Sequence, residues 1–288
     1  MDEKGILAVR TLPDSEYHDL WDRIILPDEQ KRRLIAQVAL EFTVRRKINF
    51  GALPLHGLIV LVGPPGTGKT TLAKGMASKA AEVLSREVKF IEANPHALTS
   101  SSLGKSQREV MKFFQETIAE HAANDPVIVL LDEVETLAAD RKQLSLEANP
   151  IDVHRATDAV LASLDFLAQQ FPHLLFIATS NFAGAVDSAF MSRADLVEVI
   201  EKPDSLAVEA ILRDALSTLG ASWPAIKGLL SDSKFSAVAK YAMGLDGRQI
   251  RKSVLVACAR EVEIALDPSK LKLEHVKDAL KSMQEKKS

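Results

Sequence analysis

The sequence predicts an α/β domain, with a central parallel five-stranded sheet flanked by helices, followed by a small all-helical domain. Three observations carry this. Residues 58–62, 88–93, 127–131, 174–178 and 196–200 are short strand-like runs that alternate with helical patterns, as βαβ units do. The run 127–131 contains no polar residue, which suits the middle of a parallel sheet covered on both faces. After Pro203 the strands vanish and helical patterns follow one another. Pro203 and Asp204 therefore mark the boundary. The expected organisation is a short arm over 1–20, the α/β domain over 21–203 and a helical lid over 204–288.

In chain order, residues 1–20 are polar and without clear period. Residues 22–47 read as mostly helical, with Leu34, Ile35, Val38, Leu40 and Phe42 as the apolar face. A loop over 51–57 leads into the first strand, and the next helix spans 70–84. A Ser-rich loop covers 95–102, and a helix covers 107–121 until Asp125 and Pro126 break the pattern. A polar loop, 140–150, precedes a helix over 152–169 whose Val153, Ala156, Val160, Leu161, Leu164 and Leu167 share one side. The lid helices fall at 205–219, 223–230, 235–243, 247–266 and 273–283.

A length of 288 residues suits a larger and a smaller domain, and 47% hydrophobic content is ample for two cores. The net charge of −3 advertises neither nucleic acid nor an anionic membrane. A single cysteine, Cys258, excludes an internal disulfide and fits a reducing compartment. No apolar run approaches the ~20 residues that span a bilayer, and the start Met1-Asp2-Glu3-Lys4 is not a secretory leader. A soluble, cytoplasmic protein is expected. The seven histidines form no zinc pattern, so a built-in metalloprotease is not supported.

The chemistry begins at Gly63-Pro64-Pro65-Gly66-Thr67-Gly68-Lys69-Thr70-Thr71. Gly63, four residues and then Gly68-Lys69-Thr70 fit the phosphate-loop pattern between a strand and a helix. Glycines let several backbone N–H groups converge on one phosphate, and the positive end of the following helix faces the same anion. Lys69 adds a charge for the outer phosphates, and the Thr70 hydroxyl can ligate magnesium. ATP or ADP with Mg2+ is the expected ligand.

Hydrolysis needs a second metal-holding group and a base for water. Asp132 and Glu133 end the strand 127–131, where open α/β sheets place their ligands. Asp132 is expected to hold the metal through water, and Glu133 to polarise the attacking water. Asn181, at the end of the next strand run, offers an amide between that water and the γ-phosphate. Arg193 lies on a loop further on and is a candidate arginine finger for a neighbouring subunit's nucleotide. Arg248, at the start of a lid helix, could close onto the γ-phosphate. Arg251, one turn later, either does the same or pairs structurally.

In this order, and with a helical lid, these motifs resemble an AAA+ ATPase. Leu131-Asp132-Glu133-Val134-Glu135, Thr179-Ser180-Asn181 and Ser192-Arg193-Ala194-Asp195 resemble, more narrowly, the Pch2/TRIP13 remodellers of HORMA-domain proteins. Leu20-Trp21-Asp22-Arg23 and Gly247-Arg248-Gln249-Ile250-Arg251 resemble the same family. The resemblance implies a homohexameric ring that uses ATP to open a HORMA-domain partner, with active sites shared between subunits. It implies a substrate-gripping pore loop at Ser102, Leu103 and Gly104, although the family usually carries an aromatic where Ser102 stands. It implies a second central loop over 141–150. Only about 20 residues precede the match, leaving no room for the substrate-binding domain of the larger members. In this the chain resembles the short bacterial members that accompany HORMA proteins and CD-NTase second-messenger synthases in antiphage systems.

Two other classes bear on the reading. A DNA-associated AAA+ loader would carry a basic stripe or an appended helix-turn-helix, against the negative balance here. A nucleotide-gated scaffold without turnover would have no use for Glu133, Asn181 and Arg193 beside Lys69 and Asp132.

Overall fold

The computed structural model describes residues 4–99, 106–140 and 150–285. The chain divides into two compact units. The first holds most of residues 4–200. The second holds residues from Glu201 onward together with Arg23–Pro27 and Pro64–Gly68.

The first unit runs β1 (Ile6–Leu12), α1 (Ser15–Arg23), α2 (Asp28–Val44), β2 (Leu58–Val62), α3 (Lys69–Val83), β3 (Val88–Ala93), α4 (Pro95–Thr99), α5 (Ser106–Lys112), a π-helical stretch Phe113–Ile118, α6 (Ala119–Ala122), β4 (Val127–Leu131), α7 (Pro150–Gln170), β5 (Leu174–Ser180), α8 (Ser188–Met191) and β6 (Leu196–Val199). The strands form one sheet in the order β1-β3-β4-β5-β2-β6. All five expected strands are there and mutually parallel. Every residue of β2, β4 and β5 is buried, because helices cover both faces of the sheet.

A correction concerns the amino terminus. Residues 6–12 are not an unstructured arm but a sixth strand, antiparallel to β3 at the sheet edge. The sheet is therefore six-stranded and mixed. Burial alternates along the strand, but the sequence Ile6-Leu7-Ala8-Val9-Arg10-Thr11-Leu12 does not, because the wet face of this edge strand carries apolar residues: Leu7 and Val9 are exposed while Leu12 is fully buried. The helix expected over 22–47 is α2, which begins only after Pro27, while α1 lies mostly within the span expected as an arm. Leu34, Val38 and Phe42 face the core as expected, but Leu40 is exposed. The loop expected at 95–102 begins with the short helix α4. On α7, Ala156, Val160, Leu161, Leu164 and Leu167 are buried together in the core with Phe114, Phe176 and Phe190.

The second unit is helical: α9 (Ser205–Ser222), a 3-10 stretch Pro224–Ser231, α10 (Phe235–Ala239), α11 (Gly247–Cys258), α12 (Val262–Leu266) and α13 (Leu273–Glu285). Val208, Leu212, Phe235, Ile250, Val254, Val276 and Leu280 form its core. Asp204 caps α9 by accepting from Ala207 N–H, and Asp246 with Gln249 makes a full capping box on α11. The helix expected over 247–266 is two helices, α11 and α12. No helix among the described residues is long and apolar enough to cross a membrane.

Candidate active site

Three adjacent interior strands bring their loop starts together at the carboxyl end of the sheet. β4 pairs with β5 and β5 with β2, and Val62 lies opposite Ser180. Lys69, Asp132 and Asn181 follow these strand ends. Their side chains meet in one hydrogen-bonded cluster.

Lys69 is only 7% exposed. Its Nζ donates to the Gly63 carbonyl at 2.7 Å and to Asn181 Oδ1 at 3.0 Å. The Thr70 hydroxyl donates to Asp132 Oδ1 at 2.7 Å. Thr179 donates to the same Oδ1 at 2.5 Å, and its oxygen accepts from Glu133 N–H at 3.0 Å. One hydroxyl thus orients two consecutive acids. Glu133 adopts a left-handed backbone, φ +53°, a conformation disfavoured without glycine. Its carboxylate is 56% exposed, while Asn181 Nδ2 sits 3.5 Å from Glu133 Oε1. Glu135 is the third acid of the turn. Its Oε1 accepts from both N–H and Nδ2 of Asn181 at 3.2 Å, and its Oε2 is buried with no hydrogen-bond partner.

The phosphate loop carries two glycines in the left-handed region, Gly66 at φ +82° and Gly68 at φ +89°. A Cβ on Gly63 would lie 2.0 Å from the Ile200 carbonyl oxygen, so that strand end also requires glycine. Within the helical unit, a Cβ on Gly66 would lie 2.4 Å from Asp246 Oδ1, and Arg248 N–H donates to the Gly66 carbonyl at 3.3 Å. The Arg251 guanidinium is taken by Asp214, with a further contact to the Arg23 carbonyl. The Arg248 side chain is exposed and makes no hydrogen bond or ion pair among the described residues.

The oxygen-only set of Thr70 and Asp132 suits a hard divalent cation, and the glycine-lined loop suits a phosphate. No group of three or more His, Cys, Asp or Glu side chains that could hold a metal ion occurs among the described residues.

Arg193 is not part of this cluster. Asp195 N–H donates to the Leu58 carbonyl at the start of β2, whereas the phosphate loop follows its end, about 16 Å of strand away. Ser102, Leu103, Gly104 and the second loop over 141–149 lie outside the described residues. Thr179 and Glu135 stand in stretches that carry the family resemblance but have no expected role of their own there, and neither has Asp246. Thr179 carries the only signal that could have found it, a hydroxyl two residues before Asn181 at a strand end.

The family model for the ATPase family associated with various cellular activities (AAA) matches residues 59–202, which run from β2 past β6. The chain belongs to that AAA family. It is 52% identical to CD-NTase-associated protein 6 of Pseudomonas aeruginosa, over 98% of this chain and 93% of that protein. It is 34% identical to the pachytene checkpoint protein 2 homolog of Xenopus tropicalis, over 72% of this chain and 49% of that protein. This AAA chain thus spans nearly the whole of the first relative and about half the length of the second. These likenesses place it in the Pch2/TRIP13 group, as the motifs implied. A chain in the solved structure of an E. coli MS115-1 HORMA:CdnC:Trip13 complex shares the fold, with TM-score 0.70 and 20% identity over 96% of this chain and 95% of that one.

Proposed function

We propose that this AAA chain is one subunit of a homohexameric ATPase ring that opens a HORMA-domain protein and so regulates a CD-NTase second-messenger synthase in an antiphage system. The observation that carries the reading is the convergence of Lys69, Thr70, Asp132, Glu133 and Asn181 at the carboxyl ends of three adjacent strands. The likeness to the Pseudomonas CD-NTase-associated protein supports the choice of partner, as does the fold shared with a chain of the HORMA:CdnC:Trip13 complex.

In the proposed chemistry, residues 63–71 cradle the phosphates of ATP and Lys69 neutralises the outer ones. Thr70 and Asp132 would hold a magnesium ion, whose part is to offset charge on the phosphate oxygens. Glu133 accepts a hydrogen bond from the attacking water and turns it toward the γ-phosphate. Asn181 faces that carboxylate with its Nδ2 and accepts from Lys69 at its Oδ1, so it links the two. Arg193 acts on the nucleotide of the next subunit, a contribution worth about 10³ to 10⁵ in rate. Such a shared site is the natural product of a head-to-tail ring. Residues 204–288 serve as a lid. Arg248 is its γ-phosphate sensor, because Arg251 is already occupied by Asp214.

Glu133→Gln tests the reading. With ATP it should bind nucleotide, hydrolyse at least about a hundredfold more slowly, and stay on a HORMA-domain partner in a pulldown. Wild-type turnover by that variant would remove the proposed base.

A further inference from the structure

The Arg-Ala-Asp stretch has a structural logic that its sequence does not disclose. The Arg193 guanidinium lies side-on to Asp165 of α7, with Nε to Oδ1 and Nη2 to Oδ2 both at 2.7 Å. Its Nη1 donates to the Ala189 carbonyl in α8 at 2.8 Å. His56 Nε2 lies 3.1 Å from the same Asp165 Oδ1, and the His56 ring stands edge-on to Phe50 at 5.1 Å. Asp195, two residues on, accepts the backbone N–H groups of His56 at 3.1 Å and Leu58 at 3.0 Å. Arg193 and Asp195 therefore clasp His56 from two sides, one through Asp165 and the other directly.

A guanidinium has five N–H donors. Three are used here, so two remain without an acceptor among the described residues. The Asp165 side chain is 36% exposed and that of Arg193 22%. A bidentate, part-buried pair of this kind can contribute to folding. Its fork-on-fork geometry also fixes the direction of a long side chain, which is what an arginine acting on a separate group needs.

We propose that Asp165 is a positioning residue for Arg193: its carboxylate, backed by His56, holds the guanidinium so that its remaining donors meet the phosphates of a neighbouring subunit. This rests on the reading of Arg193 as a finger acting between subunits. Asp165 touches no nucleotide and acts only through the arginine. The carboxylate stays ionised because the hydrogen bonds from Arg193, then its charge, hold it below the usual range for an aspartate.

The test uses the assembled full-length chain and steady-state ATP hydrolysis. Asp165→Ala and the near-isosteric Asp165→Asn should lower kcat on the order of a hundredfold, with KM for ATP within about threefold. Asp165→Glu should recover part of the loss. The double variant Asp165→Ala/Arg193→Ala should be no slower than Arg193→Ala alone. Mixing Asp165→Ala subunits with Glu133→Gln subunits, which bring an intact finger but no base, should give more activity than either alone. Wild-type rates for Arg193→Ala would remove the finger reading and this proposal with it. A slow Arg193→Ala beside wild-type Asp165 variants would overturn the role of Asp165 alone. Losses that add to that of Arg193→Ala, or that mixing never restores, would reduce the pair to ordinary packing.

Discussion

Asn181 and Lys69 are joined across the ends of two paired strands, with Oδ1 of the amide 3.0 Å from the ammonium. The other end of the same amide points at Glu133 and Glu135. A single neutral side chain thus stands between the cation expected to meet the phosphates and the acid expected to meet the water. Whatever draws Lys69 toward a phosphate loosens its hold on Asn181, and so reaches Glu133.

Asn181→Ala is therefore expected to separate binding from turnover. Losing one aligned polar group in such a site costs about 10² to 10³ in kcat. Phosphate-loop contacts are untouched, so the affinity for a non-hydrolysable ATP analogue should move by less than about fivefold. Single-turnover hydrolysis beside a direct binding titration reads both. A parallel collapse of binding would make Asn181 a support for Lys69 and nothing more.

Thr179→Val keeps the shape of the side chain and deletes its hydroxyl. Asp132 loses a donor, and Glu133 N–H loses its acceptor in a turn already held at positive φ. A part-buried N–H left without its acceptor costs on the order of 1 kcal/mol. The expected result is a thermal midpoint lower by several degrees and a rise in the magnesium concentration needed for half-maximal activity. Unchanged magnesium dependence would show that Thr70 alone orients Asp132.

The α/β pattern, the five parallel strands and the loop-borne acids were legible because each is written in contiguous residues: an unbroken apolar run, a glycine-rich turn, two acids after a strand. The edge strand β1 was not, since half of its side chains face water and its partner, β3, lies some 80 residues on. Thr179 and Asp165 were hidden for a related reason. Each acts on a group 28 to 47 positions away in the chain, and nothing local marks a threonine or a helical aspartate as a clamp. The pairing of β5 with β2 is the contact that brings Asn181 to Lys69.

Glu41 gives the fold a pH signature. Burial, with the negative charge of Asp195 adding to it, pushes its carboxyl up from 4.5 to about 7. Gln37 donates to Oε1, while Oε2 has no acceptor or donor beside it. The folded state therefore binds a proton more tightly than the unfolded state. The contribution of Glu41 to stability is greatest below about pH 4.5, falls as pH climbs toward 7, and levels off above that, a change of roughly 3 kcal/mol at most. Glu41→Gln should flatten this part of the profile in urea titrations at pH 5 and pH 8. The same pH dependence in the variant would place its source elsewhere.

Gly57 is expected to tolerate no side chain. Its φ is +66°, and a Cβ would lie 1.8 Å from Arg45 Nη1 and 2.8 Å from the Leu174 carbonyl oxygen. Arg45 is buried there, bonded to the carbonyl that starts β5. Gly57→Ala must expel the guanidinium, at a cost of at least about 2 kcal/mol in stability. Gly228, which has open space around it, should accept alanine with little change in the melting curve.

The antiparallel seat of β1 on β3 also bears on how the protein can be handled. That short ribbon supplies hydrogen bonds to the last strand on its side of the sheet. Trimming the first dozen residues as a dispensable tail would leave the backbone of β3 as a bare selvage, open to pairing with another molecule's strand. The shortened polypeptide should self-associate into clumps on warming well before its catalytic apparatus is harmed.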